Sequence, residues 1–261
     1  MLHTISLPYV VSGFGVGLLV GTTGVGGGSL MTPLLVLLFG VEPVTAVGTD
    51  LLFASLTKTG GSVIHGLNRT LDWRIVARLA AGSVPAAILT LVGLYYFRAH
   101  GGAANALVTK GLAVALLLTA ASLLMRRWLI AAYAKRVGNL APRATARLTV
   151  LTGAVLGFLV PLTSVGAGAL GVTALILLYP ELPVRRIVGS DIAHAVPLTL
   201  VAGIGHWLQG NVNFALLSML LLGSLPGIVA GSFLVPRVPE PALRTLIALV
   251  LVLVSANVLR S

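Results

Sequence analysis

The sequence predicts an all-α, polytopic helical membrane protein built from two inverted five-segment repeats that contain short broken or re-entrant helices. Three observations predict it. Hydrophobic residues make up 57% of the 261 residues and charged residues 9%, with a mean hydropathy of +1.05. That composition cannot supply the wetted surface of a soluble globule, so lipid must be the solvent. Gly, Pro and charge cut the apolar sequence into ten runs, two of them too short to span. The first five runs resemble the last five in order, the signature of an internal repeat.

The runs cover residues 7–22, 29–40, 44–65, 75–97, 104–125, 147–162, 169–179, 184–207, 212–235 and 241–259. Most approach the roughly 20 residues a crossing needs. The second and seventh would be only about 16 to 18 Å long as helices, too short to cross alone. No Lys or Arg precedes Lys58, so a cleavable leader with a basic start is not expected and the first run stays attached. The chain has no Cys, which removes disulfides, thiolate metal sites and Cys nucleophiles. No metal or other cofactor is expected.

Val47-Gly48-Thr49-Asp50-Leu51 recurs as Val188-Gly189-Ser190-Asp191-Ile192, His65 as His206, and Gly82-Ser83-Val84-Pro85 as Gly223-Ser224-Leu225-Pro226, all 141 positions apart. After a one-residue slip, the stretch Thr23 to Leu30 matches Thr163 to Leu170. Two membrane repeats follow, 1–125 and 147–261, joined by a linker at 126–146.

That linker and its margin carry Arg126, Arg127, Lys135, Arg136, Arg143 and Arg147, which places it in the cytoplasm by the excess of positive charge on cytoplasmic loops. Counting outward from it, 13 of the 17 basic residues fall on the cytoplasmic side, while Arg98, Lys110 and Arg260 fall outside. Five runs per half is an odd number, so equivalent loops lie on opposite faces and the repeats are inverted. The net charge of +11 is therefore a topology signal, and nucleic acid is not an expected partner.

Inverted repeats with short, Gly-interrupted runs in matching places point to a transport site at the bilayer midplane. Runs one and two are expected to dip in as one hairpin and six and seven as another, with Gly-rich tips meeting near the centre. A short helix begins at each tip, at Gly26-Gly27-Gly28-Ser29 and at Gly166-Ala167-Gly168-Ala169. Each would present free N–H groups and the positive end of its dipole to a small anion. The hydroxyls of Thr22, Thr23, Ser29, Thr163 and Ser164 would complete the cradle. The competing reading is that these glycines only let helices pack closely in lipid.

Ionisable residues inside spans are functional candidates because burying them is costly. Asp50, Ala54, Thr57 and Gly61 share one helical stripe with Lys58 at its edge, and Asp191, Ala195, Leu198 and Ala202 repeat it with His194 alongside. Thr49 with Asp50 and Ser190 with Asp191, together with Lys58 and His194, are the candidates for coupling or gating. Each Asp can equally brace a helix break through hydrogen bonds. His65 and His206 end their runs and are expected at the interface. An intramembrane hydrolase using Ser164 with His194 or His206 is disfavoured by the symmetric placement of these groups. A passive anion channel remains the main alternative to a transporter.

The chain resembles the sulfite exporter TauE/SafE family. The resemblance rests on GVGGGSLMTPLL, VGTDLL, the TK-x-GGS-x-x-H stretch and Leu71-Asp72-Trp73-Arg74 in the first half, and on LTSVGAGALGV, LYPELPVRRIVGSDIAHAVPLT and GSLPG in the second. It covers nearly the whole chain. Leu71 stands where the family usually has Val. The resemblance implies a secondary transporter of the bacterial inner membrane that moves a small sulfur oxyanion or organosulfonate, such as sulfite or thiosulfate. The expected mechanism is alternating access, with proton coupling as an option. The expected partners are that anion, the lipid bilayer and, optionally, a second copy in a homodimer.

Overall fold

The computed structural model describes residues 7–23, 28–67, 69–99, 110–111, 113–122, 140–166 and 168–234, with helical residues at 124, 125, 128 and 132 and at positions between 245 and 256. The described elements are α1 (Leu7–Thr23), α2 (Gly28–Phe39), α3 (Pro43–Leu67), α4 (Trp73–Ala99), α5 (Ala113–Ser122), α6 (Pro142–Thr163), α7 (Ala169–Leu178), α8 (Val184–Leu208) and α9 (Phe214–Leu234). Among the described residues there is no strand.

Four of these helices, α4, α6, α8 and α9, carry stretches long and apolar enough to cross a bilayer. The 25-residue α3 has the length of about 37 Å to do so, and its polar residues lower its mean hydropathy. The two short helices fall where the two short runs lie: α2 has 12 residues and α7 has 10. Helix α6 opens at Pro142, ahead of the apolar run that starts at 147. Proline suits the first helical position, and Arg143 and Arg147 continue the helix beyond its apolar part.

Helices α3 and α8 pack on each other at the centre, α1 packs on α9, and α4 on α6. The close pairs depend on glycine. A Cβ on Gly82 would overlap the Val150 carbonyl, and one on Gly153 the Leu79 carbonyl, across α4 and α6. Across α9 and α1, Gly223 stands in the same relation to Val10, and Gly13 to Leu220. Without an oil-water driving force inside lipid, such close backbone approach supplies the packing energy.

Other contacts recur in the same way. Thr49 Oγ1 accepts a hydrogen bond from the Asn213 amide at 3.0 Å, and 141 positions from each, Ser190 Oγ accepts one from the Asp72 amide at 2.8 Å. Gly48 lies against the Asn211 carbonyl and His206, as Gly189 lies against the Thr70 carbonyl and His65. Met31, Leu35, Ala46, Leu216 and Leu220 form one apolar cluster of α2, α3 and α9; Val172, Leu175, Ile187, Ile75 and Leu79 form its counterpart of α7, α8 and α4.

One expectation is corrected by the packing. His206 does not sit at an interface but is fully buried, with Nε2 donating to the Pro161 carbonyl at 2.8 Å. The last carbonyls of α6 lack partners within their helix, and the imidazole satisfies one of them. His65 is only half-buried, with Nδ1 2.8 Å from Thr70 Oγ1.

Candidate functional site

The centre of the molecule holds Asp50, Lys58, Asp191 and His194, all at 5% exposure or less, on the facing sides of α3 and α8. The polar stripes place them there. Asp50 and Ala54 on α3, and Asp191, Ala195, Leu198 and Ala202 on α8, are all buried, so the polar groups turn inward. The Lys58 ammonium lies within electrostatic reach of both carboxylates and of His194.

The two carboxylates sit in different surroundings. One Asp50 oxygen accepts hydrogen bonds from the Thr32 amide at 3.1 Å and the Thr32 hydroxyl at 2.5 Å, which ties α3 to α2. The other Asp50 oxygen is buried with no hydrogen-bond partner among the described residues. Asp191 has no hydrogen-bond partner on either oxygen among the described residues. Its Oδ1 lies against Gly171 in the first turn of α7, in space that any side chain at 171 would fill. Position 172, which stands 140 residues after Thr32, is Val and offers no hydroxyl.

The tip between α6 and α7 frames this space. Ser164 caps α6 in the left-handed conformation, with φ 55°, and its amide donates to the Val160 carbonyl at 2.7 Å. Its buried hydroxyl has no partner. Gly166 and Gly168 have φ of 114° and 143°, a conformation side chains resist, and so α7 can begin abruptly beside Asp191. His194 Nε2 lies 2.8 Å from Ser83 Oγ of α4, and Nδ1 is buried with no partner. The site thus offers one ammonium, one imidazole, one free hydroxyl and a helix start, against two carboxylates.

The predicted residues divide into three groups. Ser164, Asp50, Asp191, Lys58 and His194 come together at the centre, with Gly166 and Gly168 shaping the turn. Thr163 spends its hydroxyl on the Leu159 carbonyl at 2.8 Å and on the Val165 amide at 3.1 Å, so it braces the turn. Thr49 and Ser190 likewise hold the segments that lead into α9 and α4. Gly26 and Gly27 lie outside the described residues. Thr22, Thr23, Gly28 and Ser29 end α1 and begin α2, and their side chains are outside the described part.

Sequence reasoning passed over Thr32, Ser83 and Gly171. Ser83 belongs to the repeated Gly-Ser-x-Pro string, which was the available signal for it. The partners of Asp50 and Asp191 needed the register of α2 and α7 against α3 and α8.

A helical membrane protein with buried ionisable groups where two broken segments meet two central helices belongs among membrane transporters, and likeness to known proteins gives the particular family. Residues 9–258 match the family model of the sulfite exporter TauE/SafE, and the chain belongs to that family. It is 41% identical over 249 residues to the probable membrane transporter protein YjnA of Bacillus subtilis, covering 95% of this chain and 97% of that one. It is 26% identical to YdhB of the same organism over 90% of this chain and 93% of that one. With MJ0441 of Methanocaldococcus jannaschii it shares 26% identity over 78% and 73% of the two chains. Both of these relatives are also named probable membrane transporter proteins. No solved structure matches the chain.

Proposed function

We propose that the chain is a secondary transporter of the bacterial inner membrane that carries a small sulfur-containing anion, such as sulfite, thiosulfate or an organosulfonate, coupled to protons. The observation that carries this reading is Asp191, a buried carboxylate with no hydrogen bond beside Gly171, Lys58 and the start of α7. Leaving a carboxylate unsatisfied at this depth costs several kcal/mol, so the group is kept for work done in another state.

Charge balance supplies the mechanism. Among the described residues, two carboxylates and one ammonium leave the site one negative charge in excess when all are ionised. An anion entering that site is repelled unless a proton arrives with it, and Asp191 is the group free to take that proton. The anion then faces Lys58, the Ser164 hydroxyl and the first amides of α7. Asp50, held by Thr32, stays in place as the brace of α2.

The recurring contacts support two inverted repeats, 1–125 and 147–261, joined by a cytoplasmic linker at 126–146. Alternating access is then a rocking of the paired bundles about the α3–α8 centre. Uptake of radiolabelled sulfite by proteoliposomes, with and without a pH gradient, tests the reading. Gradient-driven uptake that Asp191→Asn and Ser164→Val abolish is the expected result. Uptake that ignores the gradient in the unmodified protein would overturn the coupling and favour a channel.

A further inference from the structure

A cavity of about 360 Å³ opens at the ends of α4, α6 and α7, away from the central site. Arg74 and Arg78 of α4, Tyr179 at the end of α7, Glu181 and Asp72 line it. Asp72 is already committed. Its carboxylate lies 3.4 Å from Arg186 and accepts the Arg74 amide at 3.0 Å, capping α4. Arg78 donates from Nη1 to the neutral Tyr179 hydroxyl at 3.2 Å, and that hydroxyl also lies 2.8 Å from Thr149 Oγ1. Among the described residues neither Arg74 nor Arg78 has a carboxylate partner.

The matching place in the other half shows that this charge is not demanded by the fold. Phe39 stands 140 positions before Tyr179 and Tyr9 140 before Thr149, and these two rings pack at 4.5 Å. Met219 stands 141 positions after Arg78 and Ala215 after Arg74. The same junction of helices therefore holds aromatic and aliphatic side chains in one half and a cavity with two guanidinium groups in the other.

We propose that this cavity is a second anion site, a vestibule that binds the sulfur oxyanion or sulfonate on the cytoplasmic side before or after its passage through the centre. The inference rests on the transporter reading for the identity of the anion. A guanidinium with one neutral partner keeps donors free for an oxyanion, and the volume suits a small anion with its water. Ile75 lines the vestibule and also belongs to the apolar cluster with Val172 and Leu175 that separates it from Asp191. The Asp72 amide on its rim bonds Ser190, the residue before Asp191.

Sulfite binding to the purified full-length chain, measured by calorimetry at low salt, and sulfite transport in proteoliposomes together test this. Arg78→Met is expected to weaken sulfite binding and raise the apparent KM about tenfold, with the maximal rate changed less than about twofold. Arg78→Lys should recover part of the loss. Tyr179→Phe removes the brace but leaves the guanidinium, and should keep the affinity. Glu181→Gln should tighten binding about two- to threefold by removing a like charge. If Arg78→Met and Tyr179→Phe both lower thermal stability and neither changes sulfite affinity, the arginine is a brace and the vestibule is overturned. If the protein binds sulfite in an Arg78-dependent manner but moves none, the vestibule stands and the transporter reading falls.

Discussion

The two halves share their scaffold contacts and differ in their chemistry. The carbonyl-to-glycine approaches, the hydroxyl that locks each following helix and the apolar cluster behind each short helix all occur twice. The carboxylate recurs as Asp50 and Asp191, but Lys58 and His194 occur once. Lys58 has Thr199 as its counterpart 141 positions on, and His194 has Phe53 141 positions back. Thr32 holds Asp50, and Asp191, beside Gly171, has no hydrogen-bond partner among the described residues. A duplicated frame supplies two equivalent ways to pack, and the groups set within it give the two halves different surroundings for their carboxylates.

The sharpest way to break that comparison is to exchange the two aspartates' fates. Asp191→Asn should reduce gradient-driven uptake by about two orders of magnitude while costing less stability than the change at Asp50, because no hydrogen bond is lost with the carboxylate. Asp50→Asn should instead lower stability by about 1–3 kcal/mol, since it weakens the two charge-assisted bonds from Thr32. Equal stability loss in both variants, read by thermal unfolding in one detergent, would erase the distinction.

A milder exchange acts on the partners. Thr32→Val gives the first half the second half's side chain, and should destabilise by about 1–2 kcal/mol because Asp50 loses one donor. Val172→Thr gives Asp191 a donor it now lacks, and is expected to stabilise the fold while slowing sulfite uptake about tenfold. Faster uptake in that variant would mean that Asp191 is held back by being bare. The shared frame itself is tested by Gly82→Ala and Gly223→Ala. Each pushes a methyl into a carbonyl of the partner helix, and each should cost about 1–3 kcal/mol.

Much of the frame was legible in the sequence because duplication writes it twice. The short helices appeared as short apolar runs, and the buried stripes of α3 and α8 appeared as polar residues at helical spacing around Asp50 and Asp191. The pairing of Asp50 with Thr32 was not legible, since both halves carry a Thr near the matching place and only the packed register decides which one faces a carboxylate. His206 misled for a related reason. A histidine at the end of an apolar run looks like an interfacial anchor, but an unpaired α6 carbonyl waits for it inside. Thr49 and Ser190 stand next to the aspartates in sequence, yet helix geometry turns their hydroxyls about 100° away, onto the amides of Asn213 and Asp72.

The smallest expected effect concerns those last two residues. Asp72 and Asn213 stand 141 positions apart and cap α4 and α9 in the same manner, each accepting an amide of its own first turn. Only Asp72 also meets an arginine, Arg186, whose side chain is 45% exposed. An ion pair so open to solvent is worth little, because water screens it and two long side chains lose freedom to make it. Asp72→Asn preserves the cap and the amide bond to Ser190, and should change stability by about 0.5 kcal/mol or less. If thermal unfolding shows a loss several times larger, the Asp72–Arg186 pair is a structural tie between α4 and α8 that the first half has no means to copy. A loss of the expected size leaves the difference between the halves where the buried groups put it, around Lys58, Asp191 and His194.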